Sequence, residues 1–385
     1  MDLIKLRSKF EELYGKGSAQ TFFSPSRINI IGEHIDYNGG KVLPGAIEIG
    51  TYGIVRKRND TRVLLSSENI DLKIEVDLSD LEYEPNHGWG NYPKGVLYFM
   101  KEYGHKIGGM EVLIKGNIPN GAGLSSSASV ELLIAEMINV LYNKGEIPTV
   151  ELVKIGQKAE NDFVGVKCGI MDQFAIGMGK KDKAILLDTN NLEYKYINME
   201  LKDHIIVIMN TNKRRELSDS KYNERRKECE EALDIIKEYI EVDNLCDLST
   251  SDFEEFKNYL IKDNIRNRAE HVVYENHRVN IATKALIEGD ILKLGGLLIE
   301  SHNSLRDLYD VTGVELDQIV DSANEFQHCI GARMTGAGFG GCAIAIVKSD
   351  KVDEFIQYVG NDYKNRIGYE AEFYVTGIGD GTREI

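Results

Sequence analysis

The stretch "NIPNGAGLSSSASVE" at residues 117–131 limits the fold of this chain more than any other. Before it stands the strand-like "MEVLIKG". After it, Val130, Leu133, Ile134, Met137, Ile138 and Leu141 recur at i, i+3, i+4, i+7, i+8 and i+11, the apolar stripe of a long buried helix. Glycines in such a strand-to-helix turn let backbone approach a neighbour closely, and the serines add hydroxyls. Free N–H groups and the positive end of the helix dipole then face the loop, an arrangement suited to an anion such as phosphate. The loop is not of the Walker type, because GxxxxGK[ST] occurs nowhere in the sequence. Read alone, the stretch serves equally well as a serine-rich N-cap over a tight turn.

A chain of 385 residues exceeds what one compact core usually supports, so two domains are expected, 1–198 and 199–385, with the boundary near 195–205. The net charge of −16 excludes nucleic acid as a partner, since that binding is carried by Lys and Arg, yet a small anion can still be held locally. No apolar run approaches the ~18 residues that cross a bilayer, and the opening "MDLIKLRSKFEELYGKG" is a charged amphipathic helix rather than a leader. Five cysteines, odd in number and without metal-ligand spacing, predict reduced thiols in a soluble cytoplasmic protein.

Residues 20–77 alternate as consecutive strands, "TFFS", "RINII", "IEIGTYGIVRKR", "RVLLSS" and "DLKIEVDL". A helix is expected from Asn91 and another from Thr149, its N-cap, to about Phe163; strands at 184–211 lead into a charged helix. Residues 265–330 are mainly helical, and "GARMTGAGFGGCAIAIV" enters a strand before a helix near 351–366 and a last strand, "AEFYVTGI". Strands and helices mix without strict βαβ alternation, which predicts an α+β fold.

Three further segments carry chemistry. In "INIIGEHIDYNGG", residues 28–40, branched apolar residues run straight into Glu33, His34 and Asp36. Carboxylates read hydroxyl donors, and a histidine serves either way, so three such groups in one turn suit a polyhydroxylated ligand. Capping of a turn by the acids with His34 packed inside is the plain alternative. "RMTGAGFGGCAIAIV" at 333–347 is a second glycine-rich loop, around Thr335 and Phe339. "GVKCGIMDQFA" carries Asp172, which alone reads as a turn or cap residue; Glu160 upstream reads alone as a solvated helix end.

Together these segments resemble the galactokinases of the GHMP kinase superfamily. "SRINIIGEHIDYNGGKVLPGAI" is similar to the galactokinase signature, "NIPNGAGLSSSAS" to the superfamily's phosphate loop and "RMTGAGFGGCAIAIV" to its third motif, while "CGIMDQF" and "SDSKYNERR" match further segments. The resemblance runs from about residue 20 to the C-terminus and implies a two-domain fold with the active site in the cleft between the domains. It further implies transfer of the γ-phosphate of ATP to the anomeric hydroxyl of galactose, with Mg²⁺ as cofactor. Phosphorylation of N-acetylgalactosamine, or sugar and ATP binding without turnover, are the alternatives. On the matching positions, Asp172 falls where the family has its catalytic base and Arg27 where it has the arginine beside it. Glu33, His34, Asp36, Gly169, Asp172 and Tyr222 fall at sugar-binding positions. Gly121, Ala122, Gly123, Leu124, Ser125, Ser126, Ser127, Trp89 and Tyr92 fall at ATP-binding positions, and Ser127 and Glu160 beside the magnesium. The partners implied are galactose and ATP, with a monomer expected. Where the family usually has glycine before the arginine, this chain has Ser26.

Overall fold

The computed structural model describes residues 2–119, 123–213 and 218–385, with backbone alone at 218 and 219. Helix α1 (Leu3–Tyr14) is capped by Asp2, whose side chain accepts from the Lys5 N–H, and buries Leu6 and Phe10 against Ile54 and Leu113 in a small separate core. Strands β1 (Gln20–Asn29), β2 (Lys41–Val42), β3 (Pro44–Lys57), β4 (Arg62–Ser67) and β5 (Ile74–Asp77) follow. "TFFS" and "RINII" are one strand rather than two. The register with β3 shifts between Pro25 and Ser26, because proline has no N–H for the ladder and the strand continues past it through a bulge.

Helix α2 (Asn91–Glu102) and β6 (Met110–Gly116) lead to α3 (Ser126–Asn143), α4 (Thr149–Lys158) and α5 (Met171–Met178). Pro148, not Thr149, occupies the N-cap of α4 and makes no side-chain cap bond, so the helix starts on the fixed φ of proline. The predicted helix does extend past residue 158, but its last turn, Ala159–Val164, widens to a π-turn that ends on Gly165 (φ 93°). That widening carries Glu160 inward, where it is buried instead of solvated.

Strands β7 (Lys183–Asp188), β8 (Tyr194–Asn198) and β9 (His204–Asn210) precede the long helical stretch α6 (Ser218–Ile236), α7 (Thr250–Phe256), α8 (Asp263–Glu288), α9 (Ile291–Ser304) and α10 (Val314–Glu325). A second π-turn, Leu305–Tyr309, follows α9. The chain closes through β10 (Cys329–Thr335), β11 (Cys342–Lys348), α11 (Val352–Ile367), β12 (Glu372–Thr376) and β13 (Arg383–Glu384).

Among the described residues the strands form three sheets: six strands in the order β13-β1-β3-β6-β4-β5, four in the order β10-β11-β9-β12, and three in the order β2-β7-β8. Helices α3 and α5 lie on β1 and β3, while α9 and α10 cover β10. Helix α3 is buried on more than its expected stripe, since Glu131 and Asn139 are inside as well. The link from β8 to β9 crosses from one sheet to another, inside the window expected for the boundary. A single cut at 198/199 nevertheless does not follow the sheets. Strand β13 pairs with β1 (Phe22 with Glu384, Phe23 with Arg383), and Ile378 bridges to Ile47, because the outer side of β1 takes its partner from the far end of the chain. One continuous apolar core runs through both halves.

Candidate active site

Where β1 ends, four separate segments, at 33–36, 123–127, 165–172 and 336–337, meet around a cavity of about 430 Å³. The bulge in β1 turns Arg27 inward, and it is 3% exposed. Its Nε donates to Asp172 Oδ1 at 2.6 Å and its Nη2 to Oδ2 at 2.8 Å, a fork-to-fork pair. Its Nη1 donates to the Gly123 carbonyl at 3.1 Å. Asp172 stands in the first turn of α5, not in a loop, with its carboxylate partly open to the cavity.

Ser125 occupies the N-cap of α3 in the left-handed region (φ 58°), and no side-chain bond caps the helix. Its hydroxyl turns away to donate to Asp172 Oδ2, so the capping reading of this serine does not hold. Ser26, the residue in place of the family's glycine, donates to the Leu124 carbonyl and straps β1 to the same loop. Gly123, Leu124, Ser125, Ser126 and Ser127 all line the cavity; Gly121 and Ala122 lie outside the described residues. Tyr92 lines it too, whereas Trp89 packs against the core and is not among the lining residues.

The acidic turn is anchored from the other half of the chain. Gly32 N–H donates to Glu275 Oε1 on α8 at 2.9 Å, and His271 Nε2 sits 3.1 Å from the Glu33 carbonyl. Glu33 Oε1 accepts from the Gly336 N–H at 2.7 Å and lies 3.4 Å from Arg333 Nη2. Burial raises the Glu33 carboxyl above its usual range, opposed by Arg333 and Arg27. Both ring nitrogens of His34 are engaged by protein, Nδ1 with the Tyr37 hydroxyl at 2.8 Å and Nε2 with the Ala337 carbonyl at 3.1 Å. Burial, then His271, push its pKa down to about 3, so the ring is neutral and braces the turn.

Asp36 lies directly against Gly169, where a Cβ would come within 1.9 Å of its Oδ2. Burial, then Asp172 and Glu33, raise its pKa from 3.8 to about 7. The folded chain therefore binds a proton here that the unfolded chain has released, and the contribution of Asp36 to stability declines as pH rises from about 4 to 7. Asp36→Asn is expected to match the parent in thermal stability near pH 4 and to exceed it by a few degrees at pH 8. Calorimetric melting at the two pH values checks this, and an equal offset at both would contradict it.

Glu160 is 7% exposed and accepts from Gln173 Nε2 at 2.7 Å; the same amide donates to Glu131 Oε2 at 3.0 Å. Burial, then Asp172, raise the Glu160 carboxyl, and Ser127 hydrogen-bonds to it. No cluster of three or more His, Cys, Asp or Glu poised for a metal occurs among the described residues. A carboxylate beside a serine hydroxyl at the mouth of the serine-rich loop does suit Mg²⁺, which takes one or two carboxylates and completes its shell with other oxygens and water. Tyr222 on α6 lines the cavity, its ring 5.6 Å from that of His34 and 5.4 Å from that of Tyr37. Among the described residues, no helix is long and apolar enough to cross a membrane.

Sequence reasoning missed Arg333, Gln173, Glu131, Tyr37 and Tyr309. Two carried a usable signal: Glu131 is a charge inside the apolar run "VELLIA", and Arg333 a charge entering a strand of small apolar residues. Arg333 is fully buried and donates through Nη1 to the carbonyls of Asn29 at 2.9 Å and Ile30 at 3.0 Å.

Comparison with known proteins identifies the family. The family models "Galactokinase galactose-binding signature", "GHMP kinases N terminal domain" and "GHMP kinases C terminal" match residues 8–57, 91–180 and 282–365. The chain is 60% identical to a galactokinase of Clostridium tetani, over 100% of this chain and 98% of that one. To one of Enterococcus faecalis it is 51% identical, over 99% of each. The crystal structure of Lactococcus lactis galactokinase complexed with galactose superposes with a TM-score of 0.97 at 48% identity, over 100% of both chains. A Methanococcus jannaschii mevalonate kinase, at 21% identity and a TM-score of 0.69 over 95% of this chain and 100% of that one, shares the fold alone. By likeness along its entire length, the chain belongs to the galactokinase family of GHMP kinases.

Proposed function

We propose that the protein transfers the γ-phosphate of ATP to the anomeric 1-OH of α-D-galactose, giving galactose 1-phosphate and ADP. The observation that carries this reading is the meeting of the Arg27–Asp172 pair, the acidic turn and the serine-rich loop in one cavity. The galactose in the Lactococcus lactis relative supports the choice of sugar.

The turn at 33–36, the backbone at Gly169 and Tyr222 bind the sugar and leave its 1-OH toward Asp172. Asp172 takes the proton of that hydroxyl as O1 forms its bond to the γ-phosphorus and the bond to the β,γ-bridging oxygen breaks. Phosphoryl transfer needs in-line positioning and charge compensation more than covalent help. Arg27 and the N–H groups at the start of α3 face the developing charge. Ser127 and Glu160 would hold Mg²⁺, which when bound neutralises phosphate charge. Gln173 fixes the Glu160 carboxylate, and Ser125 fixes that of Asp172. Tyr92, which lines the cavity, supports an adenine on its side. We assign residues 1–198 and 199–385, less the returning strand β13, to the two halves that flank the cleft.

The test is ADP release in parallel with ³¹P detection of the sugar phosphate, across galactose, glucose, N-acetylgalactosamine, mevalonate and homoserine. Galactose is expected to be the preferred acceptor, with a 1-phosphate as product. Preference for N-acetylgalactosamine would replace the substrate, and ADP release without any sugar phosphate would sink the proposal.

A further inference from the structure

We infer that Tyr309, which lies outside the short segments that carry the family resemblance, is a positioning residue of the sugar site. Its hydroxyl holds Tyr37, and through Tyr37 the imidazole of His34, in the orientation that fastens the acidic turn to the glycine loop at 336–341. This inference rests on the sugar-kinase reading and adds to it a residue from the second π-turn.

The hydrogen bonds form one directed chain. A carbonyl accepts, so the 3.1 Å contact of His34 Nε2 with the Ala337 carbonyl places the proton on Nε2. A neutral ring then leaves Nδ1 as acceptor, and the Tyr37 hydroxyl must donate to it at 2.8 Å. With its proton spent, the Tyr37 oxygen accepts from the Tyr309 hydroxyl at 2.9 Å. The Tyr309 oxygen in turn accepts from the Cys229 thiol at 3.1 Å, a thiol kept protonated by burial. Each group has a single role left to it once its neighbour is fixed. Without the Tyr309 donor, the Tyr37 hydroxyl is free to turn, and only the Ala337 carbonyl still holds the proton on Nε2.

Tyr309 is held as firmly as a scaffold residue needs to be. It is fully buried, with its ring 4.9 Å from that of His34 and 4.6 Å from that of His271. Its own carbonyl accepts from Arg225 Nε at 2.8 Å, and Arg268 donates to the preceding carbonyl, Leu308. Arg225 lies three residues beyond Tyr222 on α6, so the clamp that seats Tyr309 also seats the helix bearing the tyrosine over the cavity. Two residues on, the Val311 carbonyl accepts from the Phe339 N–H at 2.6 Å, within the glycine loop itself. The turn and the residues just after it thus touch the acidic turn, α6 and the glycine loop at 336–341.

The test is Tyr309→Phe, which keeps the ring and removes one oxygen, with Tyr37→Phe and the double variant beside it. With ¹⁵N-histidine labelling, and the His34 signals assigned by their loss in His34→Gln, the full chain should show a pyrrole-type Nε2 and a pyridine-type Nδ1. Tyr309→Phe should move those signals toward a tautomer average. It should raise KM for the sugar roughly tenfold, the factor that matches about 1.4 kcal/mol, while KM for ATP stays within about twofold. The double variant should be no worse than Tyr37→Phe alone, since both act through one chain. Unchanged His34 signals, or sugar and nucleotide KM rising together, would overturn the inference and leave Tyr309 as packing. If the parent protein phosphorylates no sugar, the function reading falls, while the histidine spectra still decide whether Tyr309 sets His34.

Discussion

Asp172→Asn should lower kcat by about 10²–10⁴ while calorimetric titration still detects the sugar, because a positioned base contributes roughly that much. The expected loss has two sources. An amide cannot take the hydroxyl proton, and it cannot serve both arms of Arg27. Nε and Nη2 of the guanidinium each donate to one oxygen of Asp172, and an NH₂ group in either place would point a donor at a donor. Ser125, which donates to Oδ2, would also have to turn. A variant with near-parental kcat would remove Asp172 from the proton step and leave orientation and charge compensation as the source of the rate.

Arg333→Met should be the most destabilising single change in the site, on the order of 3–5 kcal/mol, since it strands a buried carboxylate without its cation. Glu33 is 2% exposed and Arg333 fully buried, and the two stand 3.4 Å apart. The guanidinium also satisfies two carbonyls at the end of β1, which methionine leaves without a donor. A melting temperature lower by about 4–6 °C is expected. Adding Glu33→Gln should recover part of the loss, because removing both charges is milder than removing one. The deficit should also be smaller at pH 5 than at pH 8, as Glu33, already raised by burial, takes up a proton in the variant. A shift of less than about 2 °C at pH 8 would show that water reaches Glu33 and replaces the arginine.

Most strands and helices, and the four segments that build the cavity, were legible from local pattern. Alternation marked β1, β3 and β6, the i, i+3, i+4 stripe marked α3, and glycine placement marked both loops. What escaped was set by distant partners. Arg333 reads as an ordinary basic residue until Glu33, three hundred positions earlier in round terms, is placed beside it. Tyr309 closes a helix in a region that shows only amphipathic periodicity, and nothing local says that its hydroxyl meets Tyr37. Glu160 read alone suits a solvated helix end, because nothing local marks the π-turn that buries it, and only the family resemblance points it toward magnesium. That both nitrogens of His34 would be engaged by Tyr37 and Ala337 is likewise invisible in the sequence.

The pairing of β13 with β1 bears on how the polypeptide matures. At roughly 5–20 residues per second, the ribosome needs tens of seconds between releasing β1 and releasing the residues that cover its outer side. During that interval Phe22 and Phe23 present an unpaired edge to the cell, the kind of ribbon that recruits other nascent strands. Chaperone dependence during synthesis, and its relief by a circular permutant that begins with the final strand, are the natural corollaries of that late closure.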